Sequence, residues 1–157
     1  MDNEQVPPST TPVPPTEPKP RFIFVAVYPR DNQSLPTYLE DLEKSGWNLL
    51  HPAYGWDSPE GKRMRGLLKT HKSLDVPNSN PADPWSGAAI RDYFAIRAAD
   101  VMVYDTDNEP GLHFLAAAQI YQIPVVAVSP KLLSVPAYFS GIVQMVIKPH
   151  NLIKSLT

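Results

Sequence analysis

The sequence has no cysteine among its 157 residues, and that absence alone excludes disulfide scaffolds, thiolate zinc sites, iron–sulfur clusters and cysteine nucleophiles. It also lacks an excess of positive charge, since 14 Lys plus Arg stand against 16 Asp plus Glu for a net charge of -2. Sequence-independent nucleic-acid binding requires a basic excess to displace phosphate counterions, so no such partner is expected. No apolar run approaches the roughly 18 residues of a membrane span, and no basic start followed by an apolar block opens the chain. A membrane partner is therefore not expected, and the expected location is the cytoplasm. Neither Gly-x-Gly-x-x-Gly nor Gly-x-x-x-x-Gly-Lys-Ser/Thr occurs, which argues against a dinucleotide or nucleoside-triphosphate cradle. The elbow Gly-x-Ser-x-Gly is missing too, and His51, His71, His113 and His150 lie too far apart for a zinc motif. No serine hydrolase, no metal and no cofactor are expected.

Proline, by contrast, is abundant and uneven. Of 19 prolines, Pro7, Pro8, Pro12, Pro14, Pro15, Pro18 and Pro20 fall in residues 1–20, among Ser, Thr and acidic side chains. Such a segment cannot bury enough apolar area to form a core, so residues 1–20 read as an extended or disordered arm. It is either a solubilising tail, which the composition favours, or a ligand for an aromatic-lined groove.

Residues 21–157 read as one α/β domain. Phe22 to Val27 is an unbroken β-branched and aromatic run, the pattern of a strand covered on both faces. Thr37 with Glu40 forms a capping box for a helix ending at Gly46, and Leu49-Leu50 marks a second strand. The long segment from Gly55 to Pro84 reads as a lid, binding loop or disordered stretch with a short helix at Gly61 to Thr70. Asp83 or Ser86 caps a helix running to Ala99. A strand at Val101–Tyr104, a helix at Gly111–Gln122, a strand at Val125–Val128, a short helix or turn at Ser134–Ser140 and a strand at Val143–Ile147 complete the reading. Alternating strands and helices imply βαβ units with right-handed crossovers. The expected fold is a three-layer sandwich with a mostly parallel five-stranded sheet, flavodoxin-like or Rossmann-like. The helix from Gly111 carries Leu112, Leu115, Ala116 and Ile120 on one side and Phe114, Ala118 and Tyr121 on the other, so it needs cover on both sides and predicts a homo-oligomer.

In an open parallel sheet ligands bind beyond the carboxyl ends of the strands where strand order reverses. The loops Tyr28–Ser34 and Asp105–Pro110 flank that crevice, which makes Tyr28, Arg30, Asp31, Asp105, Asp107 and Glu109 candidate polar groups. Taken singly, each also reads as a hydrated loop side chain. Asp105 and Asp107 share one turn, a spacing found in exposed loops as well as at hard cations.

The order of Trp85 through Ile96, Asp100-Val101-Met102-Val103-Tyr104, Glu109-Pro110-Gly111-Leu112 and Pro124-Val125-Val126 resembles the nucleoside 2-deoxyribosyltransferase family and its nucleotide N-glycosidase relatives. The resemblance spans most of Phe22 to Val128 and implies a flavodoxin-like core, assemblies in which a neighbouring subunit completes each site, and a nucleoside or nucleotide as ligand. It places Asp92 where the family holds and protonates the base and Glu109 where many members face the sugar. Without the resemblance, Asp92 reads equally as a helix-surface carboxylate beside Arg91. The family nucleophile is a Glu four residues after the glycine, and here that position is Leu115. Leucine cannot attack an anomeric carbon. The expectation is a nucleoside- or nucleotide-binding protein without covalent deoxyribosyl transfer, its pocket bounded by Tyr28, Arg30, Trp85, Asp92 and Glu109. The alternative is a divergent N-glycosidic-bond enzyme with Glu109 or Asp107 as the relocated carboxylate.

Overall fold

All five residues of β1 (Phe22–Ala26) are buried, and their side chains alternate between two separate apolar clusters. That is why the run shows no polar alternation. In the computed structural model, which describes residues 19–27, 35–52, 55–77, 84–108, 111–129, 141 and 143–156, the chain continues through α1 (Tyr38–Lys44), β2 (Asn48–Leu50), α2 (Pro59–Lys72) and α3 (Pro84–Ala98). It then forms β3 (Val101–Asp105), a 3-10 turn (Thr106–Asn108), α4 (His113–Ile120), β4 (Val125–Val128), β5 (Val143–Ile147), a second 3-10 turn (Pro149–Asn151) and α5 (Leu152–Ser155). The sheet is wholly parallel, in the order β2-β1-β3-β4-β5. This is the flavodoxin-like order, whose reversal lies between β1 and β3.

Helices cover both faces. On one, Phe22, Phe24, Leu50, Met102 and Tyr104 pack beneath Met64 and Leu68 of α2, Ala95 and Ile96 of α3, and Phe114 and Leu115 of α4. On the other, Ile23, Val25, Val103, Val126 and Val128 meet Tyr38, Leu39 and Leu42 of α1 and Leu152 of α5. At the amino edge, Asp100 ties the layers together: its carboxylate accepts from the Phe22 N–H at 2.8 Å, while its own N–H donates to the Phe22 carbonyl at 2.8 Å.

Four local expectations need correction. Thr37 makes no side-chain cap, because at φ -64° and ψ -26° it already lies in the first helical turn. Residues 59–72 form a core helix longer than the expected short one: Ser58 accepts from Gly61 N–H at 3.1 Å and Pro59 occupies the first turn, while Gly61, Met64 and Leu68 are buried. Half of the supposed lid is therefore scaffold. On α4, Leu115 belongs with Phe114, Ala117 and Ala118 on the inward side, whereas Leu112 and Ile120 face outward at 49% and 75% exposure. The inner side of α4 is covered, and this outer stripe is not covered within the described residues of one chain. α5 was not anticipated, since one turn is too short for apolar periodicity to register. Residues 1–18 of the arm read at 1–20, the turn at 134–140 and Asp83 lie outside the described residues.

Gly61 is there because α2 starts hard against the preceding loop: a Cβ at this position would sit 2.3 Å from the Trp56 carbonyl oxygen. Gly66, in the same helix, has open space around the corresponding point. Gly61→Ala is expected to destabilise the protein by about 1–3 kcal/mol through forced backbone displacement. Gly66→Ala should stabilise it by about 0.5–1 kcal/mol, as glycine in a helix interior is entropically costly. Urea unfolding of the two variants checks the opposite signs.

Candidate functional site

The reversal of strand order splays the connections after β1 and β3 apart and leaves an edge where backbone groups have no neighbouring strand. Asp105 ends β3 with its side chain on the α1 face, and it is buried. Tyr38, the first residue of α1, donates its hydroxyl to Asp105 Oδ2. Asp105 Oδ1 accepts from the backbone N–H of Asp107 at 3.0 Å. With both oxygens engaged, the carboxylate is held in one orientation and its burial is compensated. Burial, and then the Asp105 charge, keep the Tyr38 hydroxyl far above the usual phenol range, so it remains a proton donor. Thr106 Oγ1 donates to the Val128 carbonyl at 3.0 Å, which ties the turn after β3 to the end of β4.

A second polar group lies on the α2–α3 face, after β2. Trp56 is buried, and its indole N–H donates to Asp92 Oδ1 at 2.6 Å. The neighbouring Arg91, equally buried, donates from Nη1 to Asp57 Oδ1 at 3.3 Å. His51 at the end of β2 places Nε2 3.6 Å from Glu60 Oε1, and Glu60 is itself forked by Arg63. Burial pushes His51 below its ordinary value, with Glu60 opposing that effect and Arg63 adding to it. Hydrogen bonding from Arg63 holds the Glu60 carboxyl below its usual range.

The expected site residues divide between these places. Asp92 is not a surface carboxylate; it is buried in the upper part of α3. Asp107 is exposed on the turn beyond β3 and supplies its backbone N–H to Asp105. Asp92, in α3, and Asp105, which bonds Tyr38 of α1, sit on opposite faces of the sheet. Leu115 is wholly buried in the apolar cluster. Trp85 lies in the first turn of α3, its side chain outside what is described, and Tyr28, Arg30, Asp31 and Glu109 fall outside the described residues altogether. Asp100, part of the motif that carried the resemblance, sits at the opposite edge in a structural role.

Sequence reasoning missed Tyr38, Trp56 and His51. Only Trp56 left a trace, as a large aromatic immediately before the helix start Asp57-Ser58-Pro59. Among the described residues no three acidic or histidine side chains converge to hold a metal ion. Nor is any described helix long and apolar enough to cross a membrane. A cavity of about 380 Å³ lined by Gln119, Gln122, Pro124 and Gln144 lies at the amino end of β4, away from the carboxyl edge. No protein-family model matches the chain, and no curated protein matches its sequence. Chemically, the described polar side chains here are donors and acceptors oriented by one another: Tyr38 and the Asp107 N–H on Asp105, and Trp56 on Asp92.

The depressed His51 makes stability depend on pH with a definite sign. Its folded-state value lies below the ordinary 6.5, so as pH falls through that value the unfolded chain takes up the proton first and folding weakens. Glu60, lowered from 4.5, removes further stability only below that pH. The unfolding free energy is expected to fall between pH 6.5 and 5 by at most about 1.4 kcal/mol per pH unit for one group. His51→Gln should flatten most of this slope, and His113, also lowered by burial, carries the remainder. Urea titrations at several pH values measure both.

Proposed function

We propose that this protein is a nucleoside- or nucleotide-binding member of the nucleoside 2-deoxyribosyltransferase-like superfamily that does not carry out covalent deoxyribosyl transfer. The observation that supports this reading best is the complete burial of Leu115 in the apolar cluster, at the position where the resembling family requires its nucleophilic carboxylate. An attacking group must reach the anomeric carbon, and nothing on this side chain can. Asp92 meanwhile remains as a buried carboxylate oriented by Trp56, the kind of acceptor that reads a base N–H or a sugar hydroxyl. Tyr28, Arg30, Trp85 and Glu109 complete the pocket in this reading. The protein then acts as a cytoplasmic binding or sensing module that needs no cofactor.

Self-association belongs to the same reading. The outward surface at the start of α4, with Leu112 49% exposed, is the surface that a second copy would cover. Light scattering at micromolar concentration tests it, and a monomer mass contradicts it.

A divergent N-glycosidic-bond enzyme is the second reading, and it draws on one observation: Asp107 is exposed at the carboxyl edge beside the buried Asp105 and is accessible to a water molecule.

One set of measurements separates the two. Calorimetry with deoxynucleosides and deoxynucleotides should show binding that Asp92→Asn weakens by about 1–3 kcal/mol, the cost of losing hydrogen bonds to a buried charged acceptor. Chromatography after incubation with a deoxynucleoside and a second base should return both unchanged. Hydrolysis abolished by Asp107→Asn would instead establish the second reading. Leu115→Glu is expected not to restore transfer: it forfeits at least the roughly 2–5 kcal/mol of a buried leucine and places a carboxylate in an apolar cluster.

A further inference from the structure

The outer faces of α3 and α4 enclose a shallow channel that the site does not use. One hollow, of about 160 Å³, is lined by Ile90, Tyr93, Phe94, Arg97 and Tyr121. A second, of about 190 Å³, adjoins it through Tyr93 and Tyr121 and continues over His113, Ala116 and Ile120. The walls are aromatic and aliphatic, with Arg97 as the one charged group among the residues lining the two hollows. Flat aromatic walls of this kind are what polyproline helices dock against, because proline rings pack on ring faces and bring no backbone N–H that must be satisfied.

The chain itself carries a matching ligand. In residues 12–18, Pro-Val-Pro-Pro-Thr-Glu-Pro, the positions Pro12, Pro15 and Pro18 recur every three residues. A polyproline II helix has three residues per turn, so these prolines line one edge. Glu17 stands directly before Pro18.

Connectivity brings the two together. The arm joins β1 at Phe22, whose N–H and carbonyl are both bonded to Asp100, and Asp100 lies three residues beyond Arg97. Arg21 stays with β2, its carbonyl accepting from the Asn48 N–H at 2.9 Å, so the arm turns toward Arg97 from residue 20 onward, and residues 19 and 20 span about 7 Å when extended. From there Pro18 to Pro12 covers about 19 Å as polyproline II, while α3 rises about 10 Å from Arg97 to Ile90. The arm is long enough to run the length of the channel without strain.

We propose that residues 12–18 dock in the channel between α3 and α4 of their own chain, as a polyproline helix whose Pro18 and Pro15, about 9 Å apart, cover the stretch from Tyr121 past Tyr93 to Ile90, with Pro12 running beyond its upper end. Glu17 then lies beside the exposed Arg97, so charge and apolar pattern fix the same direction. Tethering supplies an effective concentration on the order of millimolar, so contacts too weak to hold a free peptide still keep the channel covered. The fold does not depend on this docking, since both core clusters close without the arm.

The test uses the full-length chain labelled for NMR, compared with the same chain carrying Pro12→Ala, Pro15→Ala and Pro18→Ala, substitutions that leave the folded domain untouched. The ring resonances of Tyr93, Phe94 and Tyr121 are expected to shift in the triple variant, and the amides of Val13, Thr16 and Glu17 to move to random-coil positions. Tyr121→Ala, which alters the channel and not the arm, should release the same amides. A synthetic peptide of residues 7–20 added to the triple variant should return the ring resonances toward their wild-type positions. The proposal is overturned if the arm amides of the wild-type chain already sit at random-coil positions and the rings are indifferent to the prolines. It is equally overturned if the ring resonances follow protein concentration instead, which would make the channel a contact between two copies.

Discussion

Asp105 is a carboxylate buried at the end of a central strand, and such a group persists only if its oxygens are hydrogen-bonded. The Tyr38 hydroxyl and the Asp107 N–H supply those bonds, and much of the edge geometry follows from them. Tyr38 fixes where α1 begins relative to β3, although 67 residues separate the two partners. The Asp107 N–H bends the chain away from the strand direction into the 3-10 turn, and Thr106 ties that turn to β4. The turn after β3 at the reversal of strand order is thus held in a defined shape by polar bonds, while apolar packing holds the layers beneath it.

Below that edge the protein is ordinary in its energetics. Two apolar clusters, one on each side of a parallel sheet, bury the alternate residues of β1 and β3, and the helices add leucine, methionine and phenylalanine at helical spacing. Polar groups in this interior come as pairs in which a residue from the connection between β2 and α2 meets a helix carboxylate. Trp56 with Asp92 and His51 with Glu60 are of this kind. Gly61 makes the first of them reachable by letting α2 press against the Trp56 backbone.

Much of the fold was legible because strands buried on both faces are continuous apolar runs. Val125–Val128 and Val143–Ile147 were delimited correctly, and β1 and β3 were each within a residue. What was not legible had physical reasons. The cap at Thr37 failed because its backbone is helical, a matter of dihedral angles that composition does not encode. The α2 start was underestimated because the Ser58 cap and Pro59 lie inside a stretch whose charges suggested a loop. The side of α4 on which Leu115 falls depends on the phase of the helix against the sheet, and a nearly all-apolar helix carries no marker of phase. At the site, Asp92 was singled out from a motif order and Asp107 from its loop beside the reversal of strand order, whereas Tyr38 and Trp56 emerged only from contacts between elements distant in sequence.

The buried hydrogen bond between Tyr38 and Asp105 is the constraint that shapes the carboxyl edge. A double-mutant cycle with Tyr38→Phe, Asp105→Asn and the double variant, followed by urea unfolding, measures it directly. A coupling energy of about 1–3 kcal/mol is expected, as for a charged group buried in a shared hydrogen bond. Additivity of the two substitutions within about 0.5 kcal/mol would contradict it, because residues so closely engaged cannot then be setting one another's position.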